Sequence, residues 1–187
     1  VNKINPKIIY GSISGYGDKG PWKDFPGQDL LAQSRSGLVW LNGNGGEAPT
    51  PMGLAAADML AGHYMVEGIL AGLVKSLKTG IGSKVETSLM EALLDFQFEV
   101  LTTYLNDANR KPVRSSYNNA HAYLSAPYGI YKTKNGFIAI AMTPVPVLGK
   151  LLNLQEIEKY TDQKEWFTKR DEIKKIIGDW LINENTK

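Results

Sequence analysis

A chain of 187 residues with 43% hydrophobic and 21% charged side chains has the balance of an ordinary globular protein, long enough for one large domain or two small ones. Its 21 basic and 19 acidic residues leave a net charge of +2 spread along the chain, which removes any electrostatic case for a nucleic-acid or membrane partner. The absence of cysteine excludes a disulfide framework, a thiolate nucleophile and thiolate-bound zinc, and His63 and His121 alone do not make a metal site. The longest apolar stretch, residues 59–77, is interrupted by His63, Glu67 and Lys75 and does not read as a membrane span. No signal peptide is visible, so a cytoplasmic location is the default expectation. Both ends read as cut, and the chain is expected to be an internal fragment of a longer protein.

Residues 7–14 are a β-rich run between Pro6 and Gly15 and predict a strand. Gly15-Tyr16-Gly17-Asp18-Lys19-Gly20 follows, a literal G-x-G-x-x-G. A dinucleotide fingerprint needs a helix to open there, so that its N-terminus holds the pyrophosphate. Pro21, Trp22 and Pro26 come instead, without helical apolar spacing. The glycines are therefore read as a loop that brings backbone close to a ligand or to another segment. Residues 29–36 predict a short helix ended by Gly37, and the glycines and prolines of residues 38–53 predict a loop or hairpin.

Apolar residues then recur with helical spacing from Met59 to Leu77, and Lys78-Thr79-Gly80 closes that helix. A strand is expected around residues 84–86. Ser88 is a candidate N-cap, with Glu91 completing a capping box, for a helix running to about Leu105. The polar stretch 106–119 reads as an inter-domain connection. Beyond it, residues 128–131 and 136–142 predict a hairpin, and residues 145–152 and 164–182 predict helices. This order gives an α/β portion followed by a smaller α+β portion.

Two aspartates stand among apolar and small residues, where a carboxylate is paired, hydrogen-bonded or at work. Asp58, in Ala56-Ala57-Asp58-Met59-Leu60, opens the long helix. Position alone admits an N-cap as well as a nucleophile that forms acyl intermediates. Asp29, in Pro26-Gly27-Gln28-Asp29, is read as a cap of its own short helix or as a second carboxylate that orients a substrate or tunes Asp58. Backbone N–H groups of the glycine loops would stabilise an oxyanion. His63 is expected to be a satisfied interior histidine, and His121 either lines a site or faces solvent. Tyr16 and Trp22 stack on a ligand or cover core, and Met52, Met59 and Met65 are read as packing.

Five ordered stretches carry a family resemblance: residues 5–17, Pro26-Gly27-Gln28-Asp29, residues 57–62, residues 78–92 and residues 126–136. Together they resemble the class III CoA-transferases (the CaiB/BaiF family), which include the α-methylacyl-CoA racemases and the carnitine dehydratase-like proteins. The resemblance implies an α/β fold: a partial Rossmann-like large domain over 1–87 without its N-terminal nucleotide-binding part, a helix and linker over 88–118, and part of a small α+β domain over 119–187. It implies an interlocked homodimer in the full-length protein, coenzyme A as the acyl-CoA substrate, a small carboxylic acid as its partner, and no metal.

On this resemblance Asp58 falls at the catalytic aspartate, which attacks a donor thioester to form a mixed anhydride and then an aspartyl-CoA thioester. Gly15, Tyr16, Gly17, Gln28, Asp29 and His121 are the implied substrate and CoA-binding residues. The racemases place a histidine where this chain has Gln28, which cannot move a proton, and a glutamate where it has Thr143. Both departures favour a transferase. A racemase, isomerase or dehydratase of the same family, and a non-catalytic assembly domain with Asp58 reduced to a cap, are the alternatives. The glycine-rich loop of one well-known transferase has no counterpart at residues 118–122. The isolated piece is expected to be inactive.

Overall fold

The computed structural model describes residues 1–108 and 110–186, so the parts of the linker and small-domain readings that fall on Asn109 and Lys187 lie outside the described residues. The chain divides into two compact units, Val1–Trp40 with Pro51–Ala108, and Leu41–Thr50 with Asn109–Lys187.

In the first unit, β1 (Ile9–Ser14) is followed not by a helix but by turns, as the prolines require. Helix α1 (Asp29–Ser36) then ends at Gly37, within the expected bounds. The stretch expected to be only loop or hairpin contains one helical turn, α2 (Leu38–Leu41), whose Leu38 is buried. The long helix α3 (Ala56–Thr79) leads through Gly80 to β2 (Ser83–Ser88), which lies parallel to β1 with Ile9 opposite Ser83 and Ser14 opposite Ser88. Ser88 caps α4 (Leu89–Phe96), its Oγ accepting from the Glu91 N–H at 3.1 Å. The helix expected to reach Leu105 breaks at Gln97, whose φ of −94° and ψ of 17° fall between the helical and extended regions; α5 (Phe98–Asn106) resumes after it.

The core of this unit is built from small residues. Ala32, Ala56, Ala57, Ala61 and Ala92 pack with Leu38, Leu89 and Leu93, bringing the starts of α1, α3 and α4 together. The outward side of α3 stays uncovered, with Leu70 55% and Leu77 78% exposed. Met52 and Met59, read as packing, lie outside the core, and Met65 lies within it. His63 is also exposed, its Nδ1 2.8 Å from the Met59 carbonyl oxygen one turn back. The interior reading of His63 fails because α3 turns that face away from the sheet.

In the second unit, β3 (Gly129–Lys132) and β4 (Phe137–Ile140) form the expected antiparallel hairpin. Helix α6 (Val145–Leu152) occupies the expected residues, while α7 (Gln155–Glu158) was not expected. The helix read over 164–182 is two, α8 (Gln163–Thr168) and α9 (Arg170–Leu181), separated at Lys169, where φ is −107° and ψ is 17°. Tyr131, Val145, Ile157, Ile173 and Ile177 form its core, and the Tyr131 hydroxyl donates to the Pro127 carbonyl at 2.6 Å. Residues 41–50 join this unit through Arg114, which donates to the Asn42 and Glu47 carbonyls, each at 2.7 Å. No helix among the described residues is long and apolar enough to cross a membrane.

Candidate active site

The long helix fixes where Asp58 stands. Gly72 lies over Ile9 and Ser83 at the start of the strand pair, Gly68 over Val85, and Met65 over Gly11. The helix thus runs antiparallel to the strands, and its N-terminus lies toward their carboxyl ends. From Met65 back to Asp58 is about 10 Å of helix at 1.5 Å per residue, and from Gly11 to Ser14 is about 10 Å of strand. Asp58 therefore stands level with the carboxyl ends of β1 and β2, the edge at which open α/β sheets bind their ligands.

At that edge the two aspartates stand in different settings. The N-cap of α3 is Ala55, not Asp58, which occupies the third helical position. Its side chain is exposed and accepts no hydrogen bond among the described residues. The cap is supplied from another helix: Asp29 Oδ1 accepts from the Ala57 N–H at 2.7 Å. This charge-assisted bond satisfies one of the orphan donors of the first turn. Asp29 is itself the first residue of α1, with Gln28 as the N-cap residue making no side-chain cap. The reading of Asp29 as a cap of its own helix therefore fails, because its carboxylate reaches across to α3.

Sequence reasoning missed the residue that holds this arrangement. Gln33, 1% exposed, donates from Nε2 to Asp29 Oδ2 at 2.6 Å and to the Leu54 carbonyl at 3.0 Å, and accepts at Oε1 from the Met52 N–H at 3.1 Å. The Asp29–Gln33 pair thereby clasps both the start of α3 and the strap that leads into it. A signal existed in the sequence: Gln33 is four residues after Asp29, on the same face of the short helix.

The loop after β1 closes against the same edge. A Cβ added to Gly15 would stand 2.4 Å from the Gly27 Cα, and one added to Gly27 would stand 2.3 Å from the Gly15 Cα. Two backbones meet here with no room for a side chain, so the glycines bring one segment onto another. The Met90 N–H donates to the Gly15 carbonyl at 3.2 Å, fixing the loop to the start of α4. Gly17, at φ +85°, donates its N–H to Ser14 Oγ at 2.9 Å. The Tyr16 ring packs edge-on against Trp22, their centroids 5.8 Å apart, with the Arg35 guanidinium 5.0 Å from its centre. Its hydroxyl is buried without a hydrogen-bond partner among the described residues.

Asp58, Asp29, Gly15, Tyr16, Gly17 and Gln28 thus all belong to the first unit and its carboxyl edge. His121 belongs to the second unit, partly buried, with its Nδ1 accepting from the Tyr123 N–H at 3.2 Å. Chemically, the edge offers an exposed carboxylate on a rigid helix, freed from capping by a second carboxylate, beside a tightly packed glycine loop. That suits nucleophilic attack by a carboxylate better than proton shuttling, since no imidazole of this unit stands at the clasp.

Residues 1–187 match the profile of CoA-transferase family III. A succinate–glutarate CoA-transferase of Agrobacterium fabrum is 33% identical over 98% of this chain and 46% of its own length. The succinyl-CoA–L-malate CoA-transferase β subunit of Chloroflexus aurantiacus is 28% identical over 96% of this chain and 46% of its own. Among solved structures, a CaiB/BaiF family protein from Brucella suis superposes with a TM-score of 0.76 at 25% identity, covering 98% of this chain and 49% of that one. The chain spans a little under half the length of the curated relatives it matches. It belongs to CoA-transferase family III.

Proposed function

We propose that this chain carries the nucleophile of a CoA-transferase that moves CoA from an acyl-CoA donor to a carboxylic acid, with Asp58 as the catalytic residue. The observation that carries this reading is the division between the two aspartates: Asp29 caps α3, which leaves both Asp58 oxygens free at the carboxyl edge. A Asp58 oxygen attacks the thioester carbonyl, the C–S bond breaks and CoA departs as thiolate, leaving a mixed anhydride. The thiolate attacks the Asp58 carbonyl of that anhydride, releasing the donor acid and forming an aspartyl-CoA thioester. The acceptor carboxylate then attacks this thioester, and the returning thiolate takes the acceptor acyl group and frees Asp58.

The names of the relatives, with succinate, glutarate and malate among their substrates, support a dicarboxylic acid as one partner. Gln28 in place of a proton-transferring histidine supports transfer over racemisation. The uncovered apolar side of α3 supports the interlocked homodimer expected of the full-length protein; a cytoplasmic location is part of the same proposal. Gly15, Tyr16, Gly17, Gln28 and His121 are proposed to contact the acyl-CoA.

The test is peptide mass spectrometry of the full-length protein after incubation with a panel of acyl-CoAs. A CoA thioester or hydroxylamine-trappable acyl group on the Asp58 peptide, absent from Asp58→Asn, is the expected result. CoA binding without any adduct would overturn covalent transfer and favour the isomerase or assembly readings.

A further inference from the structure

The loop between β1 and α1 is closed at its neck. There the Gly15 and Gly27 backbones touch, so residues 16–26 leave and return at one point. A surface segment of this length with meeting ends is an Ω-loop, a form packed by its own side chains. Little else is available to hold it. The Gly17 N–H donates to Ser14 Oγ at 2.9 Å beside the neck, and the Phe25 N–H donates to the Trp22 carbonyl at 2.9 Å inside the loop. No hydrogen bond or ion pair joins residues 18–26 to the rest of the chain among the described residues. Asp18 attracts Lys84 at longer range, but Lys84 is already paired with Glu86. Residues 18–27 are all exposed.

What gathers the loop is one side chain of α1. The Arg35 guanidinium lies 5.0 Å from the centre of the Tyr16 ring, 4.7 Å from that of Trp22 and 4.9 Å from that of Phe25. All three rings belong to the loop, whereas Arg35 stands outside it in the last turn of α1. Each distance is within the range, up to about 6 Å, at which a ring face attracts a cation, and the planar guanidinium also stacks. No carboxylate oxygen lies within 4.0 Å of Arg35, and no hydrogen bond engages it, among the described residues. A positive charge in the last turn of a helix is favourable with its side chain in solvent. That alone does not bring every aromatic ring of one loop about it.

We propose that Arg35 is the positioning residue of this loop: its guanidinium holds residues 16–26 closed at the carboxyl edge and so sets Tyr16 and Gly17 in place for the acyl-CoA. The step to acyl-CoA rests on the function proposed above, and the closure of the loop does not. Three contacts, each shifting an open–closed equilibrium roughly two- to fivefold at an exposed site, together favour closure by about tenfold or more. Lysine keeps the charge but lacks the planar fork that meets several rings at once, so it substitutes in part. Glutamine suits the helix and removes the cation.

Lys19 and Lys23 lie in the loop and make it a target for a lysine-specific endoprotease. Cleavage of a transiently opened segment tracks its open population. The test follows cleavage after these two residues in the full-length protein by mass spectrometry, with Lys78, in the last turn of α3, as the control for general unfolding. Arg35→Gln should speed loop cleavage about tenfold and Arg35→Lys about threefold or less, with Lys78 cleavage unchanged in both. Calorimetric titration with CoA is the second readout. Its Kd should rise about fivefold or more in Arg35→Gln and less than about twofold in Arg35→Lys, a rescue that follows the charge. Loop cleavage in Arg35→Gln equal to that of the parent protein, or rising only in step with Lys78, overturns the closure. Faster loop cleavage with unchanged CoA affinity overturns the link to the ligand. Failure of the proposed function shows elsewhere, as a missing adduct on Asp58, so the two readings fall separately.

Discussion

Replacing Gln33 by Leu keeps much of the volume and removes every polar contact, so its effect isolates the clasp at the start of α3. Three hydrogen bonds are lost: one to the Asp29 carboxylate at 2.6 Å and two to backbone groups of Leu54 and Met52. A bond to a charged partner contributes roughly 1.5–3 kcal/mol and a neutral one about 1 kcal/mol. Met52 and Leu54 lie on an exposed strap where water replaces the lost partners, so the backbone losses fall at the low end. The expected cost is ~2–3 kcal/mol, a fall in Tm of about 5–10 °C for a chain of this size. Urea denaturation followed by circular dichroism measures it. The companion variant Gln33→Glu places two carboxylates in contact, which raises the folded-state affinity for a shared proton above that of the unfolded chain. A folded pKa raised in this way makes the variant weakest at neutral pH, with stability regained as pH falls toward 5. A loss below ~0.5 kcal/mol in Gln33→Leu, or a Gln33→Glu protein indifferent to pH in that range, would refute the clasp as the device that holds the edge.

Asp58→Asn should cost the fold only ~0.3–1 kcal/mol, the worth of a charge near a helix N-terminus, since its carboxylate has no protein partner among the described residues; thermal unfolding checks this, and a loss above ~2 kcal/mol would mean a structural role. Gly15→Ala drives a Cβ against the Gly27 backbone and should cost ~3 kcal/mol, whereas Gly17→Ala, at φ +85° with open space around it, should cost ~1 kcal/mol; the order of their denaturation midpoints tests the contrast. Lys174 is 1% exposed with its ammonium donating to the Asn118 carbonyl at 3.2 Å, and burial pulls its pKa down to about 8. Because the unfolded lysine holds its proton to higher pH, stability should rise between pH 8 and 10, by up to ~1.4 kcal/mol per pH unit. Denaturation across that range should show the rise, and Lys174→Met should abolish it.

Much of the fold was legible because local rules coincided with tertiary needs. The spans of α1 and α6, the end of α3 at Gly80 and the Ser88 cap follow from helix periodicity and terminal residues. The breaks at Gln97 and Lys169 were not legible, since both residues suit a helix and leave it only in one backbone pair of angles. The burial of α3 was misjudged for a different reason. Periodicity says which residues share a face but not whether anything covers it, and here Met59, Val66 and Leu70 are more than half exposed. At the site, sequence singled out two aspartates, and the structure reverses the cap reading of Asp58. Asp58 heads its helix in sequence, yet the cap arrives from Asp29, a contact that local spacing does not encode.

That reversal bears on the chemistry. A carboxylate that caps a helix has its oxygens tied to backbone N–H groups, and an oxygen lone pair already accepting a hydrogen bond is a poorer nucleophile. At the start of α3 the Ala57 N–H is taken by Asp29, and Asp29 is held in turn by Gln33. The helix end is therefore satisfied before Asp58 is considered, and Asp58 sits one residue further along with neither oxygen engaged. The second negative charge at the same helix end also dilutes the favourable field that one carboxylate would otherwise have to itself. Placing the cap on a neighbouring helix thus separates two demands that a single aspartate at this position meets only in competition: closing the helix and, in the function proposed above, attacking a thioester.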